Sequence, residues 1–168
     1  MSTTFILLVC LASPVIFAVT VWLTRAGPRR STAALAGGVA AAIIDIAWDG
    51  LAARMDWWSY TFSSDAIATL ALYVPVAFVY GGSFGLIGWR LIREVGWVGV
   101  ALFFSMFVGL GVIRDHIIAV NGDTFLFGPG GAPHVVDALG YLALAFAVQL
   151  TMLLMAGPPK RDALRVSR

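Results

Sequence analysis

Residues 25–60 read RAGPRRSTAALAGGVAAAIIDIAWDGLAARMDWWSY, and the pattern of this segment indicates the architecture of the chain. It begins with three arginines, continues through small and apolar residues, and ends in acids and aromatic rings. A helix needs about 20 mostly apolar residues to cross a hydrocarbon core of ~30 Å. The stretch therefore predicts a transmembrane helix with one basic end and one acidic end.

The rest of the chain repeats this arrangement. Its residues are 60% hydrophobic and 12% charged, whereas a soluble domain has a charged fraction of about 25%. So much apolar surface excludes a soluble protein and predicts an all-α, polytopic membrane protein of one domain, residues 1–157, followed by a basic tail, residues 158–168. Five transmembrane helices are expected, at about 5–23, 32–53, 67–89, 95–113 and 135–155.

The distribution of basic residues predicts the orientation of the helices. Arginine and lysine collect after the first and third spans and in the C-terminal tail, and such segments face the cytoplasm. We therefore expect the N-terminus outside and the C-terminus in the cytoplasm, in the cytoplasmic (inner) membrane of a bacterium. The net charge of +2 arises from these flanks and indicates no nucleic-acid partner. The single cysteine, Cys10, excludes an intrachain disulfide.

The second span carries two acids at its outer end. Asp45 and Asp49 are four residues apart and share one helix face beside Trp48, and Asp56 extends that face if the helix continues. An ionisable residue at this depth is expected to face the bundle interior and to have a partner, for which Arg114 is the best candidate. The carboxyl groups either form a structural Asp–Arg pair that joins two helices or serve as a functional pair.

Spans four and five bring further reactive groups to the same height. The fourth span ends in Arg114, Asp115 and His116, and the fifth begins with His134-x-x-Asp137-x-x-x-Tyr141. Two histidines and two acids are ligands that zinc or iron accepts, and two histidines can ligate a haem. Their spacing matches no metal signature, so we expect no metal and no cofactor, and assign these residues to hydrogen bonding or acid–base roles.

The segment WDGLAARMDWWSY, residues 48–60, resembles the membrane-bound lycopene cyclase domain family and related carotenoid-modifying membrane proteins. The resemblance extends over about residues 45–78 and implies a small helical membrane protein that acts on isoprenoids. In the family the next helix opens with proline, an aliphatic residue and two glutamates. Here the corresponding residues are Pro75-Val76-Ala77-Phe78, without the glutamates. The cluster of Asp45, Trp48 and Asp49 also resembles the membrane-bound terpene cyclases of meroterpenoid pathways.

These observations give a first hypothesis, an acid-initiated terpenoid or carotenoid cyclase or hydratase, of lyase or isomerase type. A hydrophobic isoprenoid-like substrate enters a cavity in the outer leaflet, a carboxyl group protonates it, and aromatic faces stabilise the cation. The candidate catalytic residues are Asp45, Asp49, Asp115, His116 and Asp137. The candidate substrate-binding residues are Trp48, Arg54, Trp57, Trp58, Tyr60, Arg114, His134 and Tyr141.

A second hypothesis is a non-catalytic accessory, pigment-binding or lipid-binding subunit of a membrane complex. The short loops and glycine-lined helix faces suit helix contact, and a homo- or hetero-oligomer is compatible with them. A transporter or channel ranks third, because the inner ends of the spans hold few polar groups. In every case the expected partner is a hydrophobic small molecule or lipid within the membrane.

Overall fold

A computed structural model of the protein describes residues 3–60, 71, 73–121 and 125–159. In this part of the chain five helices form a bundle, and two short strands lie at one end of it. The helices are α1 (Thr3–Thr24), α2 (Pro28–Arg54), α3 (Tyr73–Val95), α4 (Trp97–Asn121) and α5 (Ala132–Ala156), and the strands are β1 (Trp58–Tyr60) and β2 (Phe125–Phe127).

Four helices, α2 to α5, are long and apolar enough to cross a membrane. The described apolar part of α1 is shorter, Leu8–Thr24. The prediction of a predominantly helical protein with membrane-spanning helices is confirmed, although α4 continues well past the predicted end at Ile113. The start of the predicted third span and the basic tail from residue 160 onward lie outside the described residues.

Side chains of two arginines show which helix ends lie together. Arg29 donates a hydrogen bond from Nε to the carbonyl oxygen of Met155 at 2.8 Å, and Arg90 donates to the carbonyl oxygen of Thr24 at 3.1 Å. Both satisfy carbonyl groups in the last turn of a helix, where a cation is favoured. The ends of α1, α3 and α5 and the start of α2 thus form one end of the bundle, called here the basic end.

Glycines allow α2 and α3 to approach closely. A Cβ atom on Gly81 would overlap the backbone of Gly38, and one on Gly38 would overlap the carbonyl oxygen of Ala77. The residues Val76–Ser83 form a π-helix, which the sequence analysis did not predict. Close helix contact through the small residues of α2 was predicted and is confirmed.

Large buried side chains fill the bundle between α3, α4 and α5. Phe103, Phe107, Leu86, Val148 and Met152 are each at most 2% exposed. Many apolar side chains on the outer helix faces remain uncovered; their burial requires contact with lipid or with another protein.

The two strands form an antiparallel ribbon, called here the β ribbon, in which Ser59 pairs with Leu126 and Tyr60 pairs with Phe125. No strand was predicted in either segment. The ribbon joins the exits of α2 and α4 across the end of the bundle opposite the basic end, called here the acidic end.

The predicted extension of the acidic stripe to Asp56 is wrong. The helix α2 ends at Arg54, and Asp56 has a positive φ of 54° and an exposed side chain. The left-handed backbone turns the chain into β1, so Asp56 does not share the helix face of Asp45 and Asp49.

Candidate functional site

Asp49 is the most fully hydrogen-bonded acid of the acidic end. Its Oδ1 accepts a hydrogen bond from Trp58 Nε1 at 2.9 Å, and its Oδ2 accepts from Tyr60 Oη at 2.9 Å and from Tyr73 Oη at 2.7 Å. The donors come from β1 and from the start of α3. Asp49 therefore connects α2, α3 and the β ribbon, with both of its oxygens occupied.

Asp115 is held by neighbours on α4 and α5. Its Oδ1 accepts from Arg114 Nε at 2.8 Å, and its Oδ2 accepts from Tyr141 Oη at 2.7 Å. Arg114 also donates to Tyr141 Oη at 2.6 Å, and its guanidinium lies 5.0 Å from the ring centre of Tyr80. Arg114 was predicted as the basic neighbour of Asp45, and it does interact electrostatically with Asp45. Its hydrogen-bonded carboxylate, however, is Asp115, the adjacent residue on the same helix.

Asp137 differs from Asp115, its neighbour across the α4–α5 contact. Its side chain interacts directly with Asp115, it is 5% exposed, and its Oδ2 is buried without a hydrogen-bond partner among the described residues. A buried polar atom without a partner is rare in a folded protein and costs free energy. Its retention here marks Asp137 as a candidate for chemistry.

Asp45 lies one helical turn deeper than Asp49. It interacts electrostatically with Asp49, Arg114 and Asp115, and within the described part of the chain it has no hydrogen-bond partner. Asp45 and Asp137 are thus the two acids of the cluster that retain oxygens not engaged by a donor.

These four acids surround one cavity, called here the acid cavity. Aromatic rings complete its wall: Trp48, Trp58, Tyr60, Phe125 and Tyr141. The cavity measures about 30 Å³. A water molecule needs about 10–15 Å³ on this measure, so the cavity has room for one or two waters.

Trp48 fixes the contact between α2 and α5 at this level. Its indole Nε1 donates to the carbonyl oxygen of Val136 at 3.3 Å, and a Cβ on Gly140 would come within 2.6 Å of that nitrogen. The glycine thus leaves room for the indole ring against the backbone of α5.

The phenol of Tyr60 remains a hydrogen-bond donor over a wide pH range. Tyr60 is 42% exposed as a whole, but its hydroxyl is hydrogen-bonded to Asp49, and desolvation there together with the carboxylates of Asp49 and Asp45 raises the pKa of Tyr60 well above its ordinary value. Its ring also packs edge-on against Phe125, with the ring centres 5.4 Å apart. Tyr60 therefore couples the β ribbon to the acids of α2.

The two histidines lie together but outside the wall of the acid cavity. The rings of His116 and His134 are 4.7 Å apart, and the ring of Phe127 packs 4.9 Å and 4.5 Å from them. His116 Nδ1 is 2.8 Å from the carbonyl oxygen of Val112. The expectation that both histidines meet at one height is confirmed. They pack on the β ribbon, however, and His116 does not line the acid cavity, so no contact supports a direct role for His116 there.

The other candidate residues also divide into those that line the acid cavity and those that lie outside it. Trp58, Tyr60, Arg114 and Tyr141 line the cavity together with the acids and Trp48, whereas Arg54 and Trp57 do not. Arg54 is exposed at the end of α2, and Trp57 packs with the small cluster around Trp58. Among the described residues no group of three or more metal-binding side chains is arranged to hold a metal ion.

Sequence reasoning missed two residues of the site. Tyr73 gives Asp49 its shortest hydrogen bond, and Phe125 lines the cavity from β2. One signal was available for Tyr73: it lies near the outer start of the third span, opposite Asp49 at the outer end of the second span.

The fold and the site define a class: a helical bundle with membrane-spanning helices and a buried carboxyl cluster under a β ribbon. No protein-family model, no curated protein and no solved structure matches the chain.

Proposed function

We propose that the protein is an integral membrane enzyme that binds an isoprenoid-like substrate at the acidic end and starts its reaction by proton transfer from a carboxyl group. The observation that supports this most is the convergence of four aspartates and several aromatic rings on one cavity. In an apolar bundle such acids are costly, and they mark functional sites in membrane proteins.

The hydrogen bonds assign different roles to the four acids. Asp137 and Asp45 have oxygens free of donors, so they are the proposed proton donors, with Asp137 first because it is the more deeply buried. Asp49 and Asp115 have partners on both oxygens, so they are proposed to position the tyrosines, the tryptophan and the arginine around the cavity.

The proposed reaction is redox-neutral. A proton from Asp137 adds to one carbon of a double bond and leaves a cation on the other carbon. A second double bond of the substrate attacks that cation and closes a ring, and a carboxylate then accepts a proton from the new cation. The electron-rich faces of Trp58, Tyr60 and Tyr141 suit stabilisation of the intermediate cations.

Substrate entry requires a larger space than the present 30 Å³. We propose that the β ribbon moves away from the helices to admit the substrate. Its attachments to the site are the hydrogen bonds of Trp58 and Tyr60 to Asp49 and the packing of Phe127 on the histidines. This movement exposes the acids and rings together.

We further propose that all five helices cross the cytoplasmic membrane of a bacterium, with the acidic end outside and the basic end inside, as the positive-inside rule requires. In a Cys10→Ala background, a membrane-impermeant thiol reagent added to intact cells is expected to label Ser59→Cys and not Arg25→Cys. The reverse pattern would overturn the orientation.

Conversion of isoprenoids tests the proposed chemistry. Membranes containing the protein are incubated with linear isoprenoids of increasing length and with acyclic carotenes, and products are separated by chromatography and mass spectrometry. We expect a product of unchanged mass in the wild type, little or none with Asp137→Asn, and a strong decrease with Asp45→Asn. The matched control, Asp56→Asn, removes an exposed acid of the same end and is expected to retain activity.

The cavity volume favours a second candidate function, a non-catalytic subunit in which the acid cluster only joins helices. A space for one or two waters needs no substrate, and the uncovered apolar faces can bind another membrane protein. A stoichiometric protein partner after purification in mild detergent, together with no conversion of any isoprenoid, would favour this function over the enzyme.

A further inference from the structure

Two buried polar atoms near the start of α5 lack a hydrogen-bond partner in the described part of the chain. They are Nδ1 of His134 and Oδ2 of Asp137. Residues three positions apart share a helix face, with their Cβ atoms about 5–6 Å from each other. Side chains of a helix also lean towards its N-terminus, so Asp137 leans towards the turn that holds His134. Two unsatisfied polar groups are thus neighbours on one helix face.

The nitrogen and the oxygen have complementary hydrogen-bonding capacity. An imidazole nitrogen donates or accepts according to the tautomer, and a carboxyl group donates when protonated and accepts when ionised. Buried waters in proteins typically bond to polar groups that would otherwise be unsatisfied, so one water between the two atoms satisfies both. Asp137 also lines the acid cavity, whereas His134 does not, so such a water links the cavity wall to the imidazole.

The two histidines of this contact are not equivalent. Nδ1 of His116 is 2.8 Å from the carbonyl oxygen of Val112, so that nitrogen holds its proton in a hydrogen bond within α4. Nδ1 of His134 has no such partner among the described residues, and His134 as a whole is only half-buried. The rings of His116 and Phe127, with centres 4.7 Å and 4.5 Å away, fix the position of the His134 ring. Of the two imidazoles, that of His134 is therefore available to carry a proton to Asp137.

We propose that His134 is a proton relay between the water outside the bundle and Asp137. The ring takes a proton at Nε2 and releases the proton on Nδ1 to the bridging water, which passes one of its own protons to Oδ2 of Asp137. A proton taken from the product leaves by the reverse steps, which restore the first tautomer of the ring. No electrons are transferred. The inference rests on the proposed function, in which Asp137 gives its proton to the substrate and must be protonated again.

Infrared spectroscopy of the full-length protein in lipid tests this inference without a substrate. A protonated carboxyl group gives a C=O band that shifts when deuterium replaces its proton, and the band of Asp137 is the one that Asp137→Asn removes. After rapid mixing with heavy water, we expect this band to shift about 100-fold more slowly in His134→Phe than in the wild type. A positioned acid–base group typically accelerates proton transfer by that factor.

Two matched experiments separate a relay from a packing role. His116→Phe removes the other imidazole of the same contact, and its Asp137 band should exchange as fast as that of the wild type. In His134→Ala, free imidazole should restore fast exchange, whereas pyrrole, a ring of the same size without a basic nitrogen, should not. Equal exchange rates in the wild type and His134→Phe would overturn the relay. So would an equal slowing in His116→Phe and His134→Phe, or restoration by pyrrole.

The same spectra distinguish failure of the relay from failure of the proposed function. If Asp137→Asn removes no carboxyl band, Asp137 carries no proton in the resting protein, and both the relay and its role as the proton donor are wrong. If the band is present but its exchange does not depend on His134, only the relay is wrong. If the exchange depends on His134 but the wild type converts no isoprenoid, the relay is supported and the proposed reaction is wrong.

Discussion

Asp137 and Asp115 lie against each other across the contact between α4 and α5, yet only Asp115 has a donor on each of its oxygens. Asp115 is fixed by Arg114 and Tyr141, whereas Oδ2 of Asp137 is buried without a partner among the described residues. The pair therefore combines one immobilised carboxylate with one group available to a ligand. This asymmetry is the basis for assigning proton donation to Asp137.

Replacing Asp49 by alanine is expected to destabilise the protein. The substitution leaves the indole of Trp58 and the hydroxyls of Tyr60 and Tyr73 without their common acceptor, and unsatisfied donors of this kind cost about 2 kcal/mol or more in total. Unfolding of Asp49→Ala in mixed micelles measures the change. Asp56→Asn, at an exposed position whose left-handed backbone asparagine also tolerates, is the control and should lie within about 0.5 kcal/mol of the wild type. Equal stabilities of the two variants would contradict the role of Asp49.

The contact between α2 and α3 leaves no space for a methyl group at Gly81. A Cβ there overlaps the backbone of Gly38, which cannot move without separating the helices, so Gly81→Ala is expected to lower the free energy of unfolding by about 3 kcal/mol. A Cβ on Gly50 meets nothing within 4 Å. Gly50→Ala should therefore keep the stability or increase it by up to about 1 kcal/mol. A tolerated Gly81→Ala would show that the helices are farther apart.

The register of the β ribbon predicts a disulfide. Ser59 and Leu126 are paired across the two strands, so in a Cys10→Ala background Ser59→Cys with Leu126→Cys is expected to form a disulfide under mild oxidation. The bond joins the two strands to each other and not to the helices, so the ribbon can still move away from the helices as one unit, and the conversion of isoprenoid should be retained. A loss of conversion on oxidation that reduction reverses would contradict this movement and show that the strands must separate.

Alkaline titration tests the environment of Tyr60. The pKa of its phenol is raised in the folded protein above the ordinary value of 10.0, so above pH 10 the unfolded chain loses the proton while the folded protein retains it. The contribution is fully present below pH 10, and stability then falls as the pH rises towards the folded pKa. Tyr60→Phe lacks this proton, so its stability should fall less steeply with pH than that of the wild type. Parallel curves for the two proteins would contradict the raised pKa of Tyr60.

Hydropathy and charge predicted much of the fold. Apolar runs of membrane-spanning length predicted the helices. Because successive spans cross the membrane in opposite directions, Asp49, Asp115 and Asp137 were expected at one level. Such an inference works because the backbone N–H and C=O groups of a segment in lipid must form hydrogen bonds within the segment, which favours a helix. Length and composition then determine where the helix lies.

The sequence did not predict the features that depend on contacts between distant residues. Each strand of the ribbon has three residues, too few for a recognisable alternation, and its partner is more than sixty positions away along the chain. His116 follows Asp115 directly, but adjacent residues point about 100° apart on a helix, so it faces Phe127 and not the cavity. The donors to Asp49 likewise depend on the β ribbon.

Deuterium transfer is the most direct test of the central claim, that a carboxyl group of the acid cavity protonates the substrate. The wild type is equilibrated in heavy water and supplied with an unlabelled isoprenoid. The product is expected to gain one deuterium at the protonated carbon, and Asp137→Asn to give neither product nor label. Formation of a product without deuterium would contradict the claim. So would normal labelling by both single variants, Asp137→Asn and Asp45→Asn.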